Sequence, residues 1–266
     1  MTKNGTVFLM YHELALPDRP FCAREPGYTR YVVQASEFRR QIDKLAAKGW
    51  RGKNVSQAIE SLDEPDTICI TFDDGCETDL ISAAPILKSA GFNATFYITV
   101  GFLKNPGYLS ESQLRQLSNL GFEIGCHSLT HPYLTDIDAV QLREETLTAK
   151  NRLEQIAGAA VHHFSCPGGR WNQEVCDAVK SAGFRSMATS RVGLNAPGGD
   201  PFSLARHPVL RGMTIEDFLS TCRGRPTVRT RIREKATTAL KGLLGNSTYD
   251  AVRRVVLKGS REFDDG

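Results

Sequence analysis

Long apolar runs are missing from this chain, and with them any evidence for a segment that crosses a membrane. The apolar run near the amino terminus, residues 7–11, is too short for the core of a secretion signal, and no small-residue cleavage site follows it. No stretch approaches the roughly 20 apolar residues of a transmembrane helix. Internal repeats and low-complexity segments are absent as well. We therefore expect a soluble globular protein that stays in the cytoplasm.

Paired cysteine motifs are also missing. The seven cysteines include no C-x-x-C pair, which argues against a zinc cluster built from cysteines. Their odd number and wide spacing do not suggest a compact disulfide framework. Four of them lie in or next to predicted strands, and we interpret them as reduced, mostly buried thiols: Cys69, Cys76, Cys126 and Cys166.

Basic charge is concentrated near the carboxyl terminus. The whole chain carries a net charge of +3, but residues 223–258 contain ten basic and two acidic side chains, so this segment is +8 and the rest −5. Two interpretations stay open: a surface helix that contacts anionic lipid at the inner face of the membrane, and a helical cap with a solvated basic face. No recognisable nucleic-acid-binding module accompanies the charge, so nucleic acid is not expected as a partner.

Strand-like and helix-like segments alternate over most of the chain. Strand patterns occur at 7–12, 67–72, 94–100, 122–126, 163–166 and 186–189, and helix patterns at 36–48, 79–90, 110–121, 139–156 and 172–182. This alternation predicts an α/β protein with a parallel sheet. Six or more such strands favour a closed barrel, and no G-x-G-x-x-G follows the first strand. We predict a barrel domain over residues 1–210 and a basic helical extension over 211–266.

Two short motifs carry the candidate chemistry. Residues 71–75 read T-F-D-D-G, residues 127–131 read H-S-L-T-H, and each motif follows a predicted strand. Active sites of parallel barrels lie at the carboxyl ends of the strands, where His12 and Pro167 are also expected. One aspartate and two histidines can hold a divalent metal, and the remaining aspartate can then act as a base on water.

These motifs resemble those of the polysaccharide deacetylase family, also called the NodB-homology domain or carbohydrate esterase family 4. The resemblance covers about residues 5–210 and includes the order, spacing and strand context of both motifs. It implies a distorted (β/α)7-type barrel. It also implies that Asp73 is the general base and that Asp74, His127 and His131 are the metal ligands. Zinc is the expected ion, although this ligand set also accepts cobalt, nickel or iron.

The third motif of the family, R-x-P-[YW]-G, is incomplete here. Residues 165–169 read S-C-P-G-G, so the arginine that orients the base in the family and the aromatic wall of its sugar site are both absent. Arg170 and Arg206 are candidates to replace the arginine, and each could equally be a surface residue. Pro167 remains at the expected substrate site, and Gly168 can still offer its backbone N–H to an oxyanion.

The late motif that supplies the general acid in the family is not evident. Two histidines are candidates for this role: His12, which ends the segment F-L-M-Y-H, and His207, on a possible last strand. The first segment resembles the L-M-Y-H opening of the subgroup that deacetylates exopolysaccharides such as poly-N-acetylglucosamine, whose members lack the ordinary late motif. We therefore favour His12.

The resemblance implies a metal-dependent hydrolase of exopolysaccharide biosynthesis. Its expected reaction removes N-acetyl groups from an N-acetylhexosamine-containing polysaccharide, oligosaccharide or lipid-linked glycan precursor. One alternative is the removal of O-acetyl esters from a polysaccharide by the same attack of water. Another is a non-catalytic glycan-binding barrel, which the incomplete third and late motifs favour. The intact first two motifs argue against it, because binding alone needs no spare base beside the metal ligands.

Overall fold

Parallel strands alternate with helices along residues 5–225, the part of the chain that this computed structural model describes. The strands are β1 (Val7–Tyr11), β2 (Leu14–Ala15), β3 (Val33–Gln34), β4 (Arg51–Lys53), β5 (Thr67–Phe72), β6 (Thr95–Ile98), β7 (Glu123–Cys126), β8 (His163–Ser165), β9 (Ser186–Ala188) and β10 (His207–Pro208). The α-helices are α1 (Pro26–Thr29), α2 (Ala35–Ala46), α3 (Val55–Ile59), α4 (Ala84–Ser89), α5 (Glu111–Asn119), α6 (Ala139–Arg143), α7 (Ala149–Ala157), α8 (Gln173–Ser181) and α9 (Ile215–Cys222). A π-helical turn precedes α4 (Asp79–Ala83) and another precedes α7 (Glu144–Thr148).

Seven strands follow one another across a single parallel sheet in the order β10-β1-β5-β6-β7-β8-β9, and β4 pairs with β5 beside this path. A parallel bridge joins Ala188 at the end of β9 to Leu204, just before β10. The segment 204–208 therefore links both ends of the sheet, and the strands close into a distorted barrel. The predicted (β/α) barrel is confirmed. Strands β2 and β3 form a separate two-stranded sheet.

Alternation along the strands decides which side chains face the barrel interior. Tyr11, Phe72 and Phe96 stack in a row across β1, β5 and β6, with ring centroids 5.1 and 5.0 Å apart, and the row packs under α2. Successive side chains of a strand point to opposite faces. Because Phe72 faces outward to the helices, its neighbours Thr71 and Asp73 face into the barrel.

The predicted strands and helices are confirmed to within two residues at each end. A π-helical turn begins the helix pattern 79–90, and another interrupts the helix pattern 139–156. Strand β4, helix α3 and the β2–β3 sheet were not predicted. Strand β4 is only three residues long and is centred on Gly52, so it lacks an apolar pattern. Any Cβ at Gly52 would overlap the ring of Phe92, which explains why a glycine occupies this strand.

The beginning of the predicted extension packs on the barrel. Thr214 caps α9 by accepting a hydrogen bond from the Asp217 amide at 3.1 Å, and the helix packs against α2 and β1. Phe218 and Cys222 are fully buried there. The domain boundary at 210 stays a prediction. Most of the basic extension, with its lipid and helical-cap interpretations, lies outside the described residues. Within residues 5–225, every helix is too short or too polar to span a bilayer.

Candidate active site

Four side chains converge at the carboxyl ends of β5 and β7. The Oδ1 atom of Asp74 lies 3.5 Å from Nε2 of both His127 and His131, and the three ligand-type atoms all lie within 4.8 Å of one another. Oδ2 of Asp73 lies 4.0 Å from Nε2 of His127. The structure thus brings together the two motifs on which the sequence prediction rests, with Asp73 beside the three-ligand set.

Left-handed backbone turns aim these side chains. Asp74 has a φ of +80° and Gly75 a φ of +86°, while Ser128 and His131 have φ values of +70° and +67°. Such conformations are uncommon for residues other than glycine and cost Asp74, Ser128 and His131 about 1–3 kcal/mol each. Strained residues of this kind cluster at functional sites, and here they lie in the two motif loops.

A buried carboxylate holds the histidine loop in this shape. Glu145 accepts hydrogen bonds from the amides of Leu129 and Thr130, both at 2.8 Å, and from the Thr130 hydroxyl at 2.5 Å. The Ser128 hydroxyl accepts a further bond from the His131 amide at 3.0 Å. Glu145 lies on a π-helical turn, and no sequence motif marked it. It is one of the site's supporting residues that the sequence analysis missed.

The three-ligand set fits a divalent metal ion. Oδ1 of Asp74 is buried and has no hydrogen-bond partner within residues 5–225. Nδ1 of His127 faces the Ser165 carbonyl oxygen at 2.8 Å, which requires an N–H at Nδ1 and leaves a lone pair on Nε2. That lone pair and the carboxylate oxygen face each other at 3.5 Å. These two electron-rich atoms repel each other unless a cation lies between them. In metal sites, the ring nitrogen of a histidine that does not bind the ion commonly donates a hydrogen bond that orients the ring, as Nδ1 of His127 does here.

Burial sets the charge states of these ligands. Burial raises the pKa of Asp74 to about 6, lowers the pKa of His127 to about 3 and lowers the pKa of His131. A charged group loses hydration in a buried site, so the neutral form is favoured in each case. Both imidazoles are therefore neutral near pH 7, the form in which histidine binds metals.

Arg206 binds both carboxylate oxygens of Asp73. Nη1 donates to Oδ1 at 2.7 Å and Nη2 donates to Oδ2 at 2.8 Å, and Arg206 is only 1% exposed. The same guanidinium donates to the Ser165 hydroxyl at 2.7 Å, the Thr71 hydroxyl at 3.2 Å and the Thr189 carbonyl at 3.3 Å. Burial alone would raise the pKa of Asp73, but Arg206, followed by His127, outweighs burial and holds that pKa well below its usual range.

Ser165 makes room for this arrangement. It occupies the position at which the resembled family carries its arginine, and its hydroxyl lies 3.4 Å from Oδ2 of Asp73. A serine is too short to bind the carboxylate in the same way, and the space is taken by Arg206 from the segment next to β1. Of the two candidate arginines, the structure brings Arg206 to Asp73. The contribution of Ser165 was not predicted.

Tyr133 supplies an aromatic ring where the third motif has none. A Cβ at Gly168 would lie 2.7 Å from Cε1 of Tyr133, so the ring packs directly on the glycine that replaces the family's aromatic residue. The Arg170 guanidinium stacks on the same ring, 3.7 Å from its centroid. Arg170 thus lies with Tyr133 and not at Asp73. Tyr133 lies two residues beyond the H-S-L-T-H motif, and no sequence motif marks it.

The two candidate general acids lie in different environments. His12 follows β1 and stacks on Tyr31 with ring centroids 4.7 Å apart. A positive charge on His12 would lower the pKa of both Asp73 and Asp74, which puts it within electrostatic reach of the site. His207 instead directs Nε2 to the Gly193 carbonyl oxygen at 3.1 Å. It points away from the neighbouring Arg206, because side chains alternate along β10.

The chain is similar in sequence to known proteins over most of the described barrel. Residues 61–187 match the family model described as "Polysaccharide deacetylase". The Bacillus subtilis protein YxkH is 26% identical over 191 residues, which cover 70% of this chain and 68% of that protein. The chitooligosaccharide deacetylase of Azorhizobium caulinodans is 33% identical over 138 residues, which cover 51% of this chain and 64% of that protein.

A solved structure with the same fold is that of the Streptococcus pyogenes deacetylase PplD in complex with acetate. It superposes with a TM-score of 0.72 at 21% identity, covering 82% of this chain and 98% of that one. The part of the chain matched by the family model contains β5 to β8, the first two residues of β9 and both motifs of the candidate site. The segment 61–187 belongs to the polysaccharide deacetylase family.

Proposed function

We propose that this protein is a metal-dependent hydrolase that removes N-acetyl groups from an N-acetylhexosamine-containing glycan. The arginine-bound carboxylate of Asp73 beside the three-ligand set carries the proposal, because a glycan-binding barrel needs no such base. The similarity to a chitooligosaccharide deacetylase supports an N-acetylated oligosaccharide or polysaccharide as the substrate class.

Asp74, His127 and His131 would hold the ion, with zinc as the proposed metal and cobalt, nickel or iron as other ions this set accepts. When bound, the ion supplies Lewis acidity that lowers the pKa of water and polarises the acetamide carbonyl. The protein contributes the ligand geometry, the neutral imidazoles, and the second nitrogen of His127 fixed by Ser165.

Asp73 takes the proton of the attacking water in this mechanism. Arg206 keeps the Asp73 carboxylate charged and fixes both of its oxygens, so that the base is preorganised when substrate arrives. The backbone N–H of Gly168 is the proposed donor to the oxyanion. His12 is the proposed acid that protonates the leaving amine, and the products are acetate and a free amino sugar.

Acetate release separates this proposal from its two alternatives. The full-length protein loaded with zinc is incubated with N-acetylhexosamine oligomers and, separately, with an O-acetylated polysaccharide. We expect acetate from the N-acetylated oligomers. Release from the ester substrate alone would instead make the protein an O-acetyl esterase. Binding of the oligomers without release, unchanged in Asp73→Asn, would identify a glycan-binding barrel.

The Tyr133→Ala variant is expected to raise KM about 2- to 10-fold with a smaller change in kcat. Tyr133 is 39% exposed beside Gly168, where it can contact a sugar ring, and an aromatic contact contributes about 0.5–1.5 kcal/mol beyond simple burial. Steady-state kinetics of acetate release measure the effect. Tyr133→Phe is the matched control and should keep KM near that of the wild type; equal KM values for the alanine variant and the wild type would contradict the assignment.

Metal affinity is expected to fall as the pH is lowered through about 6. Burial raises the pKa of Asp74 to about 6, and this carboxyl must lose its proton before it can bind the ion. Above that pH the carboxylate is charged and the ion binds unopposed; below it, competition from one proton costs up to about tenfold in affinity per pH unit. Titration against a competing chelator at several pH values measures the affinity, and Asp74→Asn, which removes a charged ligand, should bind the ion more weakly and without a change near pH 6. A metal affinity of the wild type that does not change with pH between about 5 and 7 would contradict this prediction.

A further inference from the structure

A second group of ligand-type side chains lies next to the candidate active site. It consists of Glu13 between β1 and β2, Cys22 in the loop before α1, and Cys76 in the loop after β5. One carboxylate oxygen and the two sulfur atoms lie within 4.8 Å of one another, and the two Sγ atoms are 3.4 Å apart. We call these three residues the thiol cluster. None of its members has a role in the mechanism above.

The carboxylate of the thiol cluster is held in a fixed orientation. Glu13 is 1% exposed and accepts hydrogen bonds at Oε2 from the Cys22 amide at 3.0 Å and from the Tyr28 hydroxyl at 2.9 Å. The Tyr28 hydroxyl also lies 3.3 Å from Sγ of Cys76. Such outer donors, which orient a ligand without occupying all of its lone pairs, are a regular feature of metal sites.

A buried acid near the cluster lacks a hydrogen-bond partner among residues 5–225. Asp79 is fully buried, and neither of its carboxylate oxygens has a hydrogen-bond partner in the described part of the chain. Burial raises the pKa of Asp79, and negative charge at Cys22, Asp74 and Glu13 would raise it further. Its carboxyl group is therefore within electrostatic reach of the thiol cluster, in a buried region whose neighbouring groups are acidic. A buried, unpaired carboxyl group of this kind is costly unless it is neutralised or a cation is present.

We propose that Glu13, Cys22 and Cys76 form a second metal site, which takes a thiophilic divalent cation such as zinc. Zinc–sulfur bonds of about 2.3 Å in a tetrahedral site place two thiolates roughly 3.8 Å apart. The Sγ atoms at 3.4 Å need to separate by only a few tenths of an ångström to reach this distance. The fourth position is left for water.

This site would fasten the amino-terminal loop to the active-site loop. Cys76 follows the proposed ligand Asp74 by two residues, whereas Glu13 and Cys22 belong to the segment between β1 and α1. An ion held by all three residues would cross-link these two parts of the chain. Because such an ion binds only the folded chain, its binding free energy would add to the free energy of unfolding.

Cobalt substitution in the full-length, reduced protein tests the proposal. Thiolate ligation of Co²⁺ produces a charge-transfer band in the near ultraviolet, which ligation by aspartate and histidine does not. We expect two cobalt ions per chain and this band in the wild type. His127→Ala should bind one ion and keep the band, whereas Cys22→Ser should bind one ion and lose it. Cys176→Ser, which removes a buried thiol from α8, is the matched control and should behave as the wild type.

Three results would overturn the second site. The first is a wild-type protein without the charge-transfer band. The second is a band that persists when Cys22 and Cys76 are both replaced by serine. The third is a wild-type protein in which these two cysteines form a disulfide and a single metal is bound. The wild-type and His127→Ala spectra decide the question even if the cysteine variants fail to fold. Loss of the first site alone would affect the proposed function and leave the thiolate band intact.

Discussion

Asp73→Asn is expected to lower kcat for acetate release by about 10²- to 10⁴-fold, the usual contribution of a positioned general base. Asparagine keeps the size of aspartate and can still accept a hydrogen bond from Arg206, but it cannot take a proton from water. Asp73 is not one of the three grouped ligands, so the metal content should stay at the wild-type level. Steady-state kinetics and elemental analysis of the same preparation measure both quantities.

His127→Ala is the comparison variant for this experiment. It removes the imidazole whose Nε2 lies 3.5 Å from Oδ1 of Asp74, and we expect it to lose the ion of this site and the activity together. The two variants therefore separate the proposed base from the proposed ligands: Asp73→Asn keeps the ion of this site without turnover, and His127→Ala keeps neither that ion nor the activity. An Asp73→Asn enzyme as active as the wild type would rule out Asp73 as the base, and loss of metal from it would instead make Asp73 a ligand.

Arg206→Met is expected to lower the free energy of unfolding by about 3–5 kcal/mol, the typical cost of breaking a buried ion pair by removing one partner. The change leaves Asp73 buried at 2% exposure without its bidentate donor, and it also leaves the Ser165 hydroxyl without that donor. Chemical denaturation at neutral pH measures the loss. Arg170→Met removes the other candidate arginine as a matched control and should lower the free energy of unfolding by no more than about 1 kcal/mol, the contribution of a cation–π contact such as the one with Tyr133.

The pH dependence of the Arg206 variant gives an independent readout. In the wild type the pKa of Asp73 is held below its usual range, so its contribution to stability is present above the unfolded pKa of about 3.9 and is lost as the pH falls below that value. Without Arg206, burial dominates and raises the pKa of Asp73. In the variant, Asp73 therefore takes up a proton on folding at a higher pH, and this proton offsets part of the cost of burying the unpaired carboxylate. The difference in free energy of unfolding between the variant and the wild type should then shrink as the pH is lowered. A constant difference from pH 7 to about pH 4 would contradict the pairing.

Arg206 also illustrates what sequence reasoning can and cannot reach. It was one of two candidates for the missing arginine, and the local sequence did not separate it from Arg170. The distinction depends on β10 lying beside β1 in the sheet, which brings Arg206 to a carboxylate 133 residues earlier in the chain. Tyr133 is a similar case, because its packing on Gly168 depends on how the loops after β7 and β8 meet.

The alternation of strands and helices and the two motif loops were determined by the sequence itself. Their signals are local: apolar strand runs, helix caps, and short motifs at strand ends lie within a few residues of one another. Strand-end position in a parallel barrel then predicts that Asp73, Asp74, His127 and His131 meet, whatever the details of packing. For these four residues, the sequence alone was sufficient to predict that they lie together.

Only the tertiary structure decided which distant side chains complete the site. Three features depend on contacts between segments far apart in the chain: the pairing of Arg206 with Asp73, the packing of Tyr133 on Gly168, and the approach of Cys22 to Cys76. Such contacts are selected by the closing of the barrel and by the space that small residues such as Ser165 and Gly168 leave open. The local sequence does not show that this space exists, because the side chains that fill it come from distant parts of the chain.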